Sequence, residues 1–196
     1  MIGLGAGEPD FDTPEHIRNA GIEAIQTGDT HYTAVDGTVA LKQAIIDKFE
    51  RDNGLSYEAD QILVSCGGKQ SFFNLCQALL DAGDEVIIPA PYWVSYPDIV
   101  ILAEGTPVIV EAGIDSAFKI TPAMLAAAIT DKTRMLVINS PSNPTGVGYS
   151  MQELAALGEV LLQHPDILIM TDDMYEHIVW GDYKFCNILN ACPDLY

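Results

Sequence analysis

The sequence predicts an α/β fold, a three-layer α/β/α arrangement about a mostly parallel sheet. Three observations carry that prediction. Apolar runs at residues 61–66, 85–89, 107–110, 134–139 and 167–171 are continuous in Val, Ile and Leu rather than alternating, the pattern of strands covered on both faces. Helical patterns separate most of these runs, and strand–helix alternation builds βαβ units with right-handed crossovers. Two of the runs end abruptly in polar, loop-forming residues, and open α/β sheets hold ligands at the carboxyl ends of their strands.

The elements follow in order. Two amphipathic helices are expected over 14–27 and 38–53, joined by a Gly/Asp/Thr-rich loop at 28–37. Thr13-Pro14-Glu15 reads as the cap of the first. A helix over 68–80 would place Phe72, Leu75, Cys76 and Leu79 on one face. The next, over 122–129, has Thr121 as N-cap and Pro122 at its first position, where a missing N–H costs nothing. Ser150-Met151-Gln152-Glu153 is a capping box that opens another. No repeat, low-complexity tract or linker interrupts the chain. One domain is therefore expected, with a helical part over roughly 1–60 and an α/β core over 61–196. Past Tyr175 the chain runs through Ile178-Val179-Trp180, a Gly181-Asp182 turn and Asn187-Ile188-Leu189 to Tyr196. A doubly wound fold would continue with further strands, so the chain reads as part of something larger.

Composition narrows the function classes. At 196 residues, 48% of them hydrophobic, and a mean hydropathy of +0.16, the chain can bury one large core or two small ones. No stretch reaches the roughly 18 uninterrupted apolar residues of a membrane span, and the start lacks the basic segment of a signal peptide. Nine Lys and Arg face 28 Asp and Glu, for a formal net charge of −19. That balance argues against nucleic acid and against anionic membrane surfaces, both of which call for cationic contact. Cys66, Cys76, Cys186 and Cys192 show no zinc spacing and no paired framework. Cys66 and Cys76 lie in apolar runs and are expected as buried free thiols, in keeping with a reducing cytoplasm. His16, His31, His164 and His177 are scattered, so no metal site is expected.

Four segments bring chemistry to strand ends. In Ser65-Cys66-Gly67-Gly68-Lys69-Gln70 a strand gives way to two glycines and a helix start. Free N–H groups and the positive end of the helix dipole suit an anion there, although taken alone the segment reads more simply as a plain strand–helix turn. Asp172 follows an apolar strand, and a carboxylate in that position calls for a cationic or strong donor partner. A protonated pyridine nitrogen would serve, and so would the backbone N–H groups of a following turn. Asn143 stands between Pro141 and Pro144, which hold their predecessors extended or cis. The loop is stiff and its amide is aimed, the rival role being a turn that bonds its own backbone. In Pro91-Tyr92-Trp93-Val94-Ser95-Tyr96-Pro97, Tyr92 and Tyr96 read as aromatics closing a sheet-to-helix gap. Trp93 is open to stacking on a planar ligand. An amide, a carboxylate and a phenol (Tyr175) near one point suit a heteroaromatic cofactor.

Jointly, Ala6-Gly7-Glu8-Pro9-Asp10-Phe11, Gly67-Gly68-Lys69-Gln70, the 91–97 segment, Asn139-Ser140-Pro141-Ser142-Asn143-Pro144-Thr145-Gly146 and Asp172-Asp173-Met174-Tyr175-Glu176-His177 resemble class I pyridoxal-phosphate-dependent aminotransferases, nearest to the bacterial aspartate aminotransferase branch. The resemblance implies a partial large domain of a fold type I enzyme that binds pyridoxal 5'-phosphate. It gives Asp172 to the pyridinium nitrogen, Tyr175 and Asn143 to the phenolate oxygen and Trp93 to the ring face. The backbone at Gly68 and Lys69 would hold the phosphate, and Tyr32 would reach the phosphate of a neighbouring subunit. Gly7, Trp93 and Asn143 would meet the substrate carboxylate. The family's usual Glu after the aspartate is Asp173 here.

The family's Schiff-base lysine, its substrate-clamping arginine and its small domain are implied beyond Tyr196. Lys42, Lys48, Lys119, Lys132 and Lys184 fit other places, and Lys69, which opens the phosphate helix, is expected to point the wrong way. The implied function of the intact protein is transfer of an amino group from an L-amino acid, aspartate by resemblance, to a 2-oxo acid, in a cytoplasmic homodimer. The chain by itself is expected to be inactive. The alternatives are a carbon–sulfur lyase of the same fold and a non-catalytic globular domain.

Overall fold

The structure is a computed structural model that describes residue 7 and residues 10–196. The motif residues Ala6, Glu8 and Pro9 lie outside the described residues. The chain divides into two compact units, Met1–Val35 and Asp36–Tyr196. The first contains helix α1 (Glu15–Gln26), which buries none of its residues. Its N-cap is Pro14 and no side chain caps it, so the cap expected from Thr13 does not form.

The second unit opens with α2 (Val39–Lys48), whose N-cap Thr38 accepts from the Leu41 N–H. The helix expected to run on to residue 53 widens instead into a π-helical turn, Phe49–Asn53, and stops at Gly54 in the left-handed region (φ 64°). Glycine takes that conformation without the Cβ clash other residues meet.

Four strands follow: β1 (Glu85–Ala90), β2 (Thr106–Glu111), β3 (Thr133–Asn139) and β4 (Leu168–Asp172). All pair in parallel, in the order β2-β1-β3-β4. The chain therefore leaves β1 toward one edge and returns to β3 on the other side. That reversal is a topological switch point, where the strand ends part and leave a crevice.

Alternation along the central strands sorts the core into two layers. Val86, Ile88, Met135 and Val137 face α3 (Gly68–Leu79) and α4 (Ser95–Leu102), packing with Phe72, Cys76, Tyr96 and Val100. Ile87, Leu136 and Ile138 face α5 (Pro122–Ala128), α6 (Met151–Leu161) and the short α7 (Ile188–Ala191), packing with Leu125, Leu154 and Ile188. Helices on both faces of a parallel sheet give the three expected layers. The caps of α5 and α6 form as read: Thr121 accepts from Met124, and Ser150 and Glu153 close a capping box.

Two further expectations fail in this unit. Residues 62–66 form no strand. A strand exists through hydrogen bonds to a neighbour, and the Val64 N–H goes instead to the Asp36 carbonyl. Cys66 is exposed rather than buried, because it belongs to that unpaired segment. On α3, Phe72 and Cys76 are buried, whereas Leu79 stays 39% exposed near the helix end. Helix α4, which the sequence reading did not single out, carries Tyr96 into the core.

Candidate functional site

Asn139 and Asp172 are the last residues of β3 and β4, and they stand opposite each other in the parallel register. The Asp172 carboxylate accepts from the Tyr96 hydroxyl at Oδ2 (2.6 Å) and from the Met174 N–H at Oδ1 (3.2 Å). Its carbonyl accepts from Asn139 Nδ2 (2.8 Å). The other end of the same amide, Asn139 Oδ1, accepts from the Asn143 N–H (2.7 Å).

Tyr96 is 2% exposed. Its ring makes edge contacts with Phe72 (5.4 Å between centroids) and Trp93 (5.3 Å). Burial pushes the Tyr96 phenol well up, and the hydrogen bond and charge of Asp172 add to that, followed by Tyr175. The phenol is thus a neutral, permanent donor that holds the carboxylate in one orientation.

A cavity of about 620 Å³ is lined by Gly68, Trp93 and Asp172 together with Phe72, Tyr96 and Met170. Gly68 is the first residue of α3, after Gly67 in the left-handed region (φ 87°), and no side chain caps this helix. The first N–H groups of an α-helix have no partner within it, so this turn offers donors to an anion. Gln70 steadies the loop by accepting from the Cys66 N–H (2.5 Å). The Lys69 ammonium lies 5.0 Å from the centroid of the Trp93 ring, within cation–π range. Lys69 itself is not among the residues that line the cavity.

Of the residues singled out from sequence, Gly68, Trp93 and Asp172 share this cavity, while Lys69 contacts Trp93 without lining it. Asn143 and Tyr175 are partly buried near the ends of β3 and β4 and do not line it. Gly7 and Tyr32 are exposed residues of the first unit. Two residues with clear places here lacked a functional reading from sequence. Asn139 ends an apolar strand, the signal that picked out Asp172. Tyr96 lies three residues after Trp93, one helical turn away, and was read as a gap-filling aromatic.

Asp173 belongs to different surroundings. Burial pushes its carboxyl up to about 6, against hydrogen bonds from Asn187 (2.6 Å) and Thr171 (3.4 Å), with Glu176 and Asp172 raising it further. It lines a second cavity of about 600 Å³ with Lys48 and Glu176, which pair with each other. No group of three His, Cys, Asp or Glu among the described residues could hold a metal.

The donor set of the first cavity matches a definite kind of ligand. Open N–H groups suit an anionic arm, an indole suits a flat ring, and an anchored carboxylate suits a protonated ring nitrogen. A family model described as aminotransferase class I and II matches residues 1–195. The aspartate/prephenate aminotransferase of Nitrosomonas europaea is 66% identical over 195 residues, covering 100% of this chain and 49% of that protein. The crystal structure of the aspartate aminotransferase from Rhizobium meliloti superposes with a TM-score of 0.96 at 54% identity, covering 98% of this chain and 48% of that one. The Thermus thermophilus aspartate aminotransferase with maleate gives a TM-score of 0.92 at 44% identity, covering 97% of this chain and 49% of that one. The chain spans about half the length of the curated relatives it matches.

Proposed function

Because this chain belongs to the class I and II aminotransferase family, we propose that it is part of the large, cofactor-binding domain of an enzyme that moves an amino group from an L-amino acid to a 2-oxo acid. Members of the aspartate aminotransferase family use pyridoxal 5'-phosphate. Aspartate is the donor this reading favours, since relatives are named aspartate or aspartate/prephenate aminotransferases. The observation that carries the proposal is the shared cavity of Gly68, Trp93 and Asp172.

When bound, the cofactor supplies an electron sink that stabilises a carbanion next to its ring. The residues of this chain bind and orient it. Asp172, fixed by Tyr96 and the Met174 N–H, keeps the ring nitrogen protonated. Trp93 covers the ring face. The N–H groups at Gly68 and Lys69 hold the phosphate, with Tyr32 contributing across a homodimer. Asn143 and Tyr175 donate to the phenolate oxygen, and Gly7, Trp93 and Asn143 receive the substrate carboxylate.

None of the six lysines lines this cavity. Lys42 pairs with Asp36, Lys48 with Glu176 and Lys119 with Glu153. On this reading the chain alone has no amine placed to carry the cofactor covalently or to remove the substrate's α-proton, and it does not turn over. The intact protein works as a cytoplasmic homodimer. No helix among the described residues is long and apolar enough to cross a membrane.

Adding pyridoxal phosphate to this chain, reducing with borohydride and mapping the peptides provides the test. No single lysine is expected to be labelled stoichiometrically, while the intact protein is labelled at one lysine and transaminates aspartate with a 2-oxo acid. Stoichiometric labelling of one lysine in this chain, or an intact protein that takes up no cofactor, would overturn the proposal.

A further inference from the structure

We propose that Asn139 is a positioning residue that sets the spacing between the two ends of the cofactor ring. This rests on the cofactor reading above. The side chain bridges two strand ends: Nδ2 donates to the Asp172 carbonyl at 2.8 Å and Oδ1 accepts from the Asn143 N–H at 2.7 Å. Both partners are backbone groups of fixed polarity, so the amide has only one orientation that satisfies both. Among the described residues it is the one side chain bonded to both Asp172 and Asn143.

The physical need for such a tie is specific. Asp172 is to meet the ring nitrogen and Asn143 the phenolate oxygen, and both atoms belong to one rigid ring. Their separation is fixed by the ligand, so the protein must fix the separation of its two partners. β3 and β4 alone do not achieve this, because Asn143 lies in the loop past the end of β3, beyond the last ladder pair, Asn139 with Asp172. The loop is closed on itself by Ser142 donating to Val147 and Gly146 donating to Ser142, and Asn139 ties it back to β4. Aspartate at 139 is nearly isosteric. It keeps an acceptor for the Asn143 N–H, but it sets an oxygen against the Asp172 carbonyl, so one arm is lost and the other kept.

The experiment uses the intact protein reconstituted with pyridoxal phosphate. It follows the pH midpoint of the cofactor's visible absorption and the cofactor dissociation constant, with melting temperature as the fold control. Asn139→Asp is expected to bind the cofactor about tenfold more weakly, the scale of one misplaced hydrogen bond to a charged group. The midpoint should rise by about one pH unit, because the donor to the phenolate no longer sits where it lowers the proton affinity. Adding Asn139→Asp to Asn143→Ala is expected to move the midpoint no further than Asn143→Ala alone, as a shared route requires. Should Asn139→Asp fail to fold, Asn139→Ser, which removes both arms without a charge, carries the same comparison. A wild-type midpoint and affinity in Asn139→Asp, or fully additive shifts, overturns this proposal alone, provided wild type binds cofactor and Asp172→Ala binds it more weakly. If wild type takes up no cofactor, or Asp172→Ala binds it equally well, the functional reading falls and this inference with it.

Discussion

Tyr96 and Asp172, 76 residues apart in sequence, are joined by a hydrogen bond of 2.6 Å from the phenol to the carboxylate. The helix that delivers Tyr96 packs on one face of the sheet, and Asp172 ends an edge strand. The bond therefore locks the proposed nitrogen partner to the core and not merely to its own loop. Tyr96→Phe removes the hydroxyl but keeps the edge contacts with Phe72 and Trp93. It is expected to cost roughly 1 kcal/mol of stability and to weaken cofactor binding by the intact protein about fivefold to tenfold. Tyr96→Ala also empties a core site and is expected to cost about 3–5 kcal/mol. Urea unfolding and cofactor titration of the two variants measure the difference.

Adjacent acids are expected to behave unequally. In the intact protein, Asp172→Ala should lower kcat for transamination by about a hundredfold or more, the scale of losing a preorganised electrostatic partner. Asp173→Ala should stay within a few fold, because its carboxyl bonds Asn187 and Thr171. Steady-state kinetics on both variants decide it, and equal losses would refute the division of roles.

Asp173 also predicts a pH signature. Its carboxyl titrates at about 6 in the fold against an ordinary 3.8, with burial as the main cause. The folded state therefore holds a proton on this group that the unfolded state releases. Its contribution to stability is fully present below the unfolded value and is lost as pH rises through about 6, by up to roughly 3 kcal/mol. Asp173→Asn is expected to be more stable than wild type at pH 7, with the advantage shrinking toward pH 4. Unfolding free energies across that range, compared between the two proteins, measure the difference.

The two core layers give a contrast in packing. Leu136 is fully buried in a central strand, while Leu79 is 39% exposed at the end of α3. Leu136→Ala should cost about 2–5 kcal/mol and Leu79→Ala under about 1 kcal/mol. Denaturant midpoints at constant slope are the measurement.

The chain's own order of residues determined a great deal here. Continuous apolar runs marked the four strands, because a strand covered on both faces needs apolar side chains in both directions. Thr121, Ser150 and Glu153 announced helix starts, because capping is settled within a few residues. Asp172 and Asn143 stood out because a polar group at the end of an apolar run has few reasons to be there. What tertiary structure decided depends on partners distant in sequence. Residues 62–66 have the composition of a strand but lack a ladder partner, and composition cannot supply one. Tyr96 looked like filler until a strand 76 residues on placed Asp172 against its hydroxyl. Asn139 became a bridge only when parallel pairing brought β3 and β4 into register and set its amide between two backbone groups of opposite polarity.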